Sequence, residues 1–330
     1  MNEILYKKKL LEFSDIEIKN VLARKNVDLL TGKSGAVLFY LHKFQVTQQA
    51  LYLLKAKHVL EICLQCTFKY SSETSFFVGP LGTLWLVFLY EEVSGSQISN
   101  KINYHSLIEG YIEVQNEKVK FENSPLDYIY GIAGWFILYP YLDEKLRSMI
   151  VETFKRKALS QIDEFIKSNG SLGFAHGLAS IYFIIKEYNI DIDESILIKL
   201  EKIISKNIKG DFKLARFNGS NDYVRQDWCH GQLGLALSFP NGVENIDHYL
   251  STNCHHLSHG VCHGLGQRFL INKLAYPLLK RPMTKIEIPQ MVFNFQPVPF
   301  IESYLVALMS FELNLKRDNK FSWWRICYPL

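Results

Sequence analysis

Apolar runs and amphipathic segments alternate along most of this chain. Residues 36–41, 83–90, 135–139 and 181–185 are apolar nearly all round, which is typical of buried helices. Segments such as residues 144–167 mix charge with apolar positions at helical spacing, and residues 193–206 do the same. The pattern predicts an inner set of buried helices that alternates with an outer set of amphipathic ones.

A glycine pair, or one glycine of such a pair, precedes nearly every apolar run. The second position of the pair falls at Gly35, Gly82, Gly134, Ser180, Gly234 and Gln267. The intervals are 47, 52, 46, 54 and 33 residues, near the period of repeats that are each a pair of helices. A seventh copy that lacks the glycines is predicted at residues 303–306, within the apolar run 300–311.

The repeat predicts an all-α protein. Because each helix pair advances in the same direction, about seven pairs can close into an α/α toroid, a double ring of inner and outer helices. Closure favours a single domain over residues 1–330. One stretch departs from the repeat: residues 111–121 alternate around Gln115, Asn116 and Glu117, which predicts a small β hairpin insertion.

Composition and charge exclude several classes of protein. A chain of 330 residues with 48% hydrophobic content can bury a large core. The net charge of +4 comes without a dense block of Lys and Arg, so nucleic-acid binding is not indicated. The longest apolar run, around residues 81–90, is too short to span a bilayer, and no secretory signal is recognised. Six cysteines in such a chain favour reduced thiols and a cytoplasmic location.

Two short strings carry the most specific chemistry. Residues 228–231 read Trp-Cys-His-Gly, and residues 262–264 read Cys-His-Gly. Two thiolates and one imidazole form a three-ligand zinc site whose fourth corner is open to water or substrate, as in catalytic zinc sites. Since 33 positions separate Cys229 from Cys262, the ligands must come from different elements.

Further polar residues occupy near-equivalent positions of the repeat. His176 directly precedes Gly177, as His230 and His263 precede their glycines, and Asp127 lies four residues before Gly131. Equivalent positions at the ends of the inner helices converge on one end of a ring. We therefore expect these side chains to meet in one cavity.

These residues resemble the LanC-like lanthionine synthetase cyclases, and the resemblance covers roughly residues 29–308. Its marks are the two strings above, the Ala-His-Gly string at residues 175–177, and Arg225 four residues before the first zinc cysteine. The resemblance implies an α/α toroid that binds one Zn²⁺ through Cys229, Cys262 and His263. It also implies catalytic roles for His176, Asp127 and Arg225. His230 replaces the tyrosine common in cyclases, and is either a second acid/base group or a polar lining residue.

The resemblance also implies an activity. A lanthipeptide cyclase adds peptide cysteine thiolates to dehydroalanine or dehydrobutyrine and forms (methyl)lanthionine thioether rings. Zinc deprotonates a coordinated thiol, and the enolate left by addition needs an acid and a stabiliser of negative charge. We expect His176 to be the acid, Asp127 to orient it and Arg225 to stabilise the enolate. The implied partners are a dehydrated, cysteine-containing precursor peptide, a dehydratase and an exporter, with the protein cytoplasmic or peripheral to a membrane-associated biosynthetic complex.

Other interpretations of the same residues stay open. The protein could add glutathione or another free thiol to dehydrated residues of proteins, or be a non-catalytic scaffold stabilised by zinc. His176 could be a core histidine, Asp127 a helix-end cap and Arg225 an ion-pair partner. Cys63 and Cys66 have redox-motif spacing but are expected to be buried thiols. A competing metal set could be formed by Cys254, His255, His256 and His259.

Overall fold

The computed structural model describes residues 2–67, 73–98, 102–116, 125–167, 171–209, 213–214, 228–229, 234, 238, 266, 268–270, 300 and 303–313. The chain divides into two compact units. One comprises Met1–Glu73, Phe77–Tyr104 and Leu250–Pro329, and the other comprises Thr74–Phe76, His105–Tyr249 and Leu330. A single domain over residues 1–330 stays a prediction.

The first unit contains five helices among the described residues. They are α1 (Glu3–Ala23), α2 (Ser34–Thr47), α3 (Ala50–Thr67), α4 (Pro80–Ser94) and, near the end of the chain, α9 (Tyr304–Glu312). Helix α2 packs against α3 and α4, and α1 packs against α9. In α2 every residue from Ser34 to Lys43 is buried, whereas α3 buries one stripe that includes Ala56, Leu60 and Cys63. The predicted alternation of buried and amphipathic helices is confirmed here.

The second unit contains the remaining elements. They are α5 (Tyr104–Asn116, whose first residue falls in the first unit), 3-10 helices at Ile132–Ile137 and Tyr139–Tyr141, α6 (Glu144–Lys167), α7 (Leu178–Glu187), α8 (Glu194–Asn207), and the antiparallel strands β1 (Ile208–Lys209) and β2 (Lys213–Leu214). Helices α6 and α8 confirm the amphipathic segments. In the apolar run at residues 135–139, residues 135–138 are buried as expected and Tyr139 is half-buried, but the helices here are 3-10. Pro140 has no N–H to donate, so it does not favour a longer α-helix there.

The hairpin predicted near residues 111–121 is wrong where the structure describes it. Tyr111–Asn116 is the second half of α5. The buried side chains of this helix include Tyr104, Ile108, Tyr111 and Gln115. Spacings of three and four place them on one helical face, and this period prevailed over the short alternation that suggested a strand. Residues 117–121 lie outside the described part of the chain.

Helix α9 is the predicted seventh copy of the inner helix. Ser303 caps it, since its side chain accepts the N–H of Val306 at 3.3 Å. Glu17 of α1 accepts the N–H of Leu305 through Oε2 at 3.2 Å, and the hydroxyl of Ser14 donates to the carbonyl of Tyr304 at 3.2 Å. Polar groups of α1 therefore hold the first turn of α9. Burial raises the pKa of Glu17 to about 7, against the opposing effect of the backbone N–H donors.

Three of the loops that precede inner helices share one main-chain arrangement. In each, an N–H just after the first glycine returns to the carbonyl seven residues earlier: Lys33 to Asn26 (3.0 Å), Ile132 to Pro125 (3.3 Å) and Leu178 to Ser171 (2.9 Å). A Cβ at Gly177 would lie 2.5 Å from the carbonyl oxygen of Gly173 and closer still to that of Ser171. Glycine is therefore required where this loop closes.

Neighbouring loops are joined through one carbonyl that accepts two N–H groups. The carbonyl of Phe77 accepts those of Leu29 and Leu30 at 2.9 and 3.0 Å. The carbonyl of Ala175 accepts those of Tyr128 and Ile129 at 3.0 and 3.2 Å. The second of these junctions sets the residues after Asp127 against the residue before His176.

Among the described helices, none combines the length and apolar character needed to cross a membrane.

Candidate active site

Asp127 organises its own loop. Its Oδ1 accepts the backbone N–H of Tyr130 at 2.5 Å and that of Gly131 at 3.1 Å. Asp28 has the same relation to its loop in the first repeat, accepting the N–H of Thr31 at 2.6 Å. Asp127 thus closes its own loop and is not the helix-end cap offered as an alternative, because the 3-10 helix that follows has Gly131 as its N-cap residue and no side-chain cap. The loop uses only one of the two carboxylate oxygens.

The other oxygen of Asp127 faces His176. Oδ2 lies 3.3 Å from Nδ1 of the imidazole. The His176 side chain is 24% exposed and that of Asp127 is 14% exposed, so the pair is partly buried and still reachable. The structure thus brings together two side chains that the repeat predicts to be neighbours. Their catalytic roles stay predictions.

Cys229 completes a cluster with these two residues. It is only 2% exposed, and its side chain forms a hydrogen bond with His176. The neighbouring residue, Trp228, is fully buried, and its carbonyl accepts the N–H of Phe174 at 3.3 Å. This main-chain contact sets the loop that carries Cys229 against the loop that carries His176.

Three aromatic rings pack behind the cluster, and each belongs to one of the three loops. The ring of Trp228 lies 6.1 Å from that of Tyr128 and 5.7 Å from that of Phe174, between centroids. Tyr128 and Phe174 are themselves in edge contact at 5.1 Å. All three rings are buried. They form a rigid apolar base on which Asp127, His176 and Cys229 are held.

The charge of the cluster favours a protonated imidazole. Burial lowers the pKa of His176, but hydrogen bonds to Asp127 and Cys229, with the charges of both groups, outweigh it and raise the pKa to about 9. The contrast with Cys63 is informative. That thiol is fully buried, and burial raises its pKa to about 11. Cys63 is a buried thiol as predicted, with Ser34 as its polar neighbour, whereas Cys66, also predicted to be buried, is only half-buried. The sulfur of Cys229 has an imidazole as its neighbour.

Sequence reasoning missed Tyr130. Its ring stacks on that of His176, with the centroids 5.4 Å apart and the planes at 16°. A signal was present, because Tyr130 precedes Gly131 as His176 precedes Gly177. Tyr130 was not predicted as a site residue, because a tyrosine at this position also fits the apolar pattern of the repeat.

The remaining predicted site residues lie outside the part of the chain that the structure describes. They are Arg225, His230, Cys262 and His263, and the competing set Cys254, His255, His256 and His259 is outside it as well. Within the described residues no three histidine, cysteine, aspartate or glutamate side chains are arranged so that they could hold a metal ion. Cys229 is the one predicted zinc ligand that can be inspected. A buried sulfur with a polar neighbour fits the donor chemistry of zinc.

The fold and the cluster define a class of protein: an all-α repeat protein in which aspartate, histidine and cysteine from three successive loops meet. A family model described as lanthionine synthetase C-like protein matches residues 24–282. The chain therefore belongs to the lanthionine synthetase C-like family.

Among solved structures, nisin cyclase is similar with a TM-score of 0.63 and 16% sequence identity. The match covers 84% of this chain and 82% of nisin cyclase. At that identity the likeness bears on the fold. It confirms the predicted fold class, an α/α toroid built from helix pairs.

Proposed function

We propose that this protein is a zinc-dependent lanthipeptide cyclase, which adds peptide cysteine thiolates to dehydroalanine or dehydrobutyrine and forms (methyl)lanthionine rings. The observation that supports it is the cluster in which His176 contacts both Asp127 and Cys229 in a chain of this family. A family relationship alone gives the type of enzyme. The cluster supplies an acid beside a sulfur ligand, as this addition requires.

The metal would be held by Cys229 together with Cys262 and His263. Zinc held there would lower the pKa of a coordinated thiol, so that a substrate cysteine would be present as thiolate at neutral pH. Burial of Cys229 keeps its sulfur away from bulk water, and the hydrogen bond with His176 orients it.

The bond changes define what the other residues must do. The cysteine sulfur forms a bond to the β-carbon of the dehydrated residue, and the π electron pair of the double bond moves towards the carbonyl as an enolate. One proton is lost from the thiol and one is added at the α-carbon, so the mass of the peptide does not change. The chain must therefore supply an acid near the sulfur and a stabiliser of the enolate.

His176 is the acid in this proposal. Because Nδ1 faces Asp127, the proton for the α-carbon comes from Nε2. Asp127 fixes the ring and favours its protonated form. Arg225 stabilises the enolate or the peptide carbonyl, and His230 lines the site or acts as a second acid/base group.

The proposed substrate is a peptide that already carries dehydrated residues and free cysteines. A dehydratase must have acted on that peptide first, because dehydroalanine and dehydrobutyrine form by loss of water from serine and threonine. We propose that this dehydratase and an exporter are partners of the protein, and that the protein acts in the cytoplasm.

The test supplies the purified protein with a dehydrated peptide that contains cysteine, and counts free thiols by alkylation and mass spectrometry. We expect thiols to be consumed without a change in peptide mass, and a chelator to abolish turnover. His176→Ala should lower the rate by about 10²- to 10⁴-fold while zinc stays bound. His58→Ala, which removes an exposed histidine of α3, is the matched control and should keep the native rate.

Each other outcome contradicts the proposal in a distinct way. A rise in mass in the presence of glutathione, without ring closure, would indicate intermolecular thiol addition. Unchanged thiols with bound zinc would indicate a scaffold. Full cyclisation by His176→Ala would exclude this residue as the acid.

A further inference from the structure

We propose that Tyr130 is a positioning residue for His176, and that its aromatic ring fixes the plane of the imidazole from which the proton is transferred. This inference rests on the proposed function, because it assigns Tyr130 a part in the same reaction. It concerns a residue to which the resemblance assigns no role.

The contact is a parallel stack. The ring centroids of Tyr130 and His176 are 5.4 Å apart and the planes differ by 16°. Offset stacking of this kind is a preferred geometry for aromatic pairs. The tyrosine ring thus covers one face of the imidazole.

Stacking restrains a motion that the hydrogen bond leaves free. An N–H bond of an imidazole lies in the plane of its ring, and Oδ2 of Asp127 is 3.3 Å from Nδ1 of His176. Contacts at the edge of the ring, with Asp127 and with Cys229, still let the imidazole rock about the axis that joins them. A second ring parallel to the first opposes that rocking, so the direction of the Nε2–H bond becomes defined.

One carboxylate ties the two restraints together. Oδ1 of Asp127 accepts the N–H of Tyr130 at 2.5 Å, and Oδ2 faces His176. The carboxylate of Asp127 therefore contacts both the backbone of Tyr130 and the imidazole of His176. A shift of the imidazole or of the Tyr130 backbone would have to move the carboxylate or break one of its bonds.

The first repeat shows that the loop itself does not require an aromatic ring. Thr31 holds the position of Tyr130 there, and its N–H binds Asp28 at 2.6 Å in the same way. The residue after Thr31 is again glycine. Moreover, Tyr130 is 50% exposed, so its ring adds little to the core. What distinguishes Tyr130 from Thr31 is the histidine beside it.

The experiment uses the full-length protein with its metal and compares three forms: native, Tyr130→Phe, and Tyr130→Thr. The threonine variant reproduces the first repeat, and its fold is checked by circular dichroism. For ring closure of a dehydrated peptide, Tyr130→Thr should lower kcat by about 10- to 100-fold with KM within about threefold, because positioning acts on the chemical step. Tyr130→Phe keeps the ring and should retain kcat within about twofold of native.

A second readout reports on the imidazole without turnover. In protein labelled at histidine, the ring current of Tyr130 should displace the His176 proton resonances upfield. The displacement should persist in Tyr130→Phe and vanish in Tyr130→Thr. If the native protein cyclised no peptide, the proposed function would fail, while this comparison would still test the stack.

Several results would overturn the inference. One is native kcat in Tyr130→Thr. Another is an equal loss in Tyr130→Phe, which would assign the effect to the hydroxyl. A raised KM with unchanged kcat would make Tyr130 a peptide contact, and a His176 resonance indifferent to residue 130 would show that the stack does not order the imidazole.

Discussion

Oδ2 of Asp127 lies 3.3 Å from Nδ1 of His176, while Oδ1 of the same carboxylate accepts the N–H groups of Tyr130 and Gly131. One side chain thus closes its own loop and reaches the loop of the next repeat. Its structural and chemical contributions use different oxygens. Substitution can therefore separate them.

Asp127→Asn should impair cyclisation far more than it impairs stability. The amide can keep the carbonyl oxygen towards the loop but presents an NH₂ group to His176, which no longer favours a protonated imidazole. We expect kcat to fall by roughly 10²-fold. Steady-state kinetics with a dehydrated peptide, alongside thermal denaturation, measures both effects.

Asp28→Asn is the matched control. Asp28 accepts the N–H and hydroxyl of Thr31, and its loop carries threonine where Asp127 has Tyr130. The loss of stability should be similar for the two variants, up to about 2 kcal/mol. Equal activity losses in Asp127→Asn and Asp28→Asn would mean that Asp127 contributes only by closing its loop.

Cys229→Ala should release the metal. If Cys229 is one of three protein ligands, the purified native protein should contain about one zinc per chain and the variant much less. Cys66→Ala removes a free thiol of α3 outside the cluster and should keep native zinc content. Elemental analysis by mass spectrometry decides, and zinc retained at the native level in Cys229→Ala would remove this residue from the ligand set.

Gly177→Ala should destabilise the protein. The new methyl group would meet the carbonyl oxygen of Gly173 at 2.5 Å and that of Ser171 still closer, so the loop must move. A cost of about 1–3 kcal/mol is typical of such overpacking. Chemical denaturation measures the change in the free energy of unfolding.

Gly110→Ala provides the comparison. Gly110 lies within α5, and a Cβ there would meet nothing within 4 Å. Because alanine favours the helix over glycine, this variant should gain up to about 1 kcal/mol. A Gly177→Ala variant as stable as Gly110→Ala would contradict the crowding seen at the loop.

Stability should depend on the ionisation of Glu17. The pKa of its carboxyl is raised from 4.5 to about 7, so the folded state binds this proton more tightly than the unfolded state. The contribution is fully present below about pH 4.5 and is lost as the pH rises through about 7. The pKa difference corresponds to about 3 kcal/mol at most.

Glu17→Gln isolates this effect. The amide keeps an acceptor for the N–H of Leu305 and does not titrate. The free energy of unfolding at pH 5 and pH 8 should therefore change less in the variant than in the native protein. Other groups, among them Glu312 with its lowered pKa, contribute equally to both proteins, so the difference between the two slopes belongs to Glu17. Equal slopes would contradict the shift.

The sequence predicted elements best where one period runs for many residues. Residues 144–167 were expected to be amphipathic and are helix α6 over the same bounds. The hairpin near residues 111–121 failed because a few alternating residues fit a strand and a helix equally well. The packing of Ile108, Tyr111 and Gln115 in the core decided for the helix.

In the candidate site, the sequence predicted that Asp127 and His176 are neighbours, but it did not predict the other contacts around them. Equivalent repeat positions indicated that Asp127 and His176 are neighbours, because the loops are built alike. The stack of Tyr130 depends on side-chain rotamers, which no spacing encodes. The carbonyl of Ala175 joins two loops through backbone atoms, and such bonds leave no mark on residue identity.

Backbone hydrogen bonds of this kind do not depend on side-chain identity, and this independence bears on how such a chain can evolve. The position before the first glycine is Thr31, Val78, Tyr130 and His176 in the first four repeats, and the loops of Thr31, Tyr130 and His176 share one main-chain geometry. A chain grown by duplication would carry this slot in every copy, framed by the backbone alone. New chemistry could then arise there by single substitutions, with no rebuilding of the scaffold.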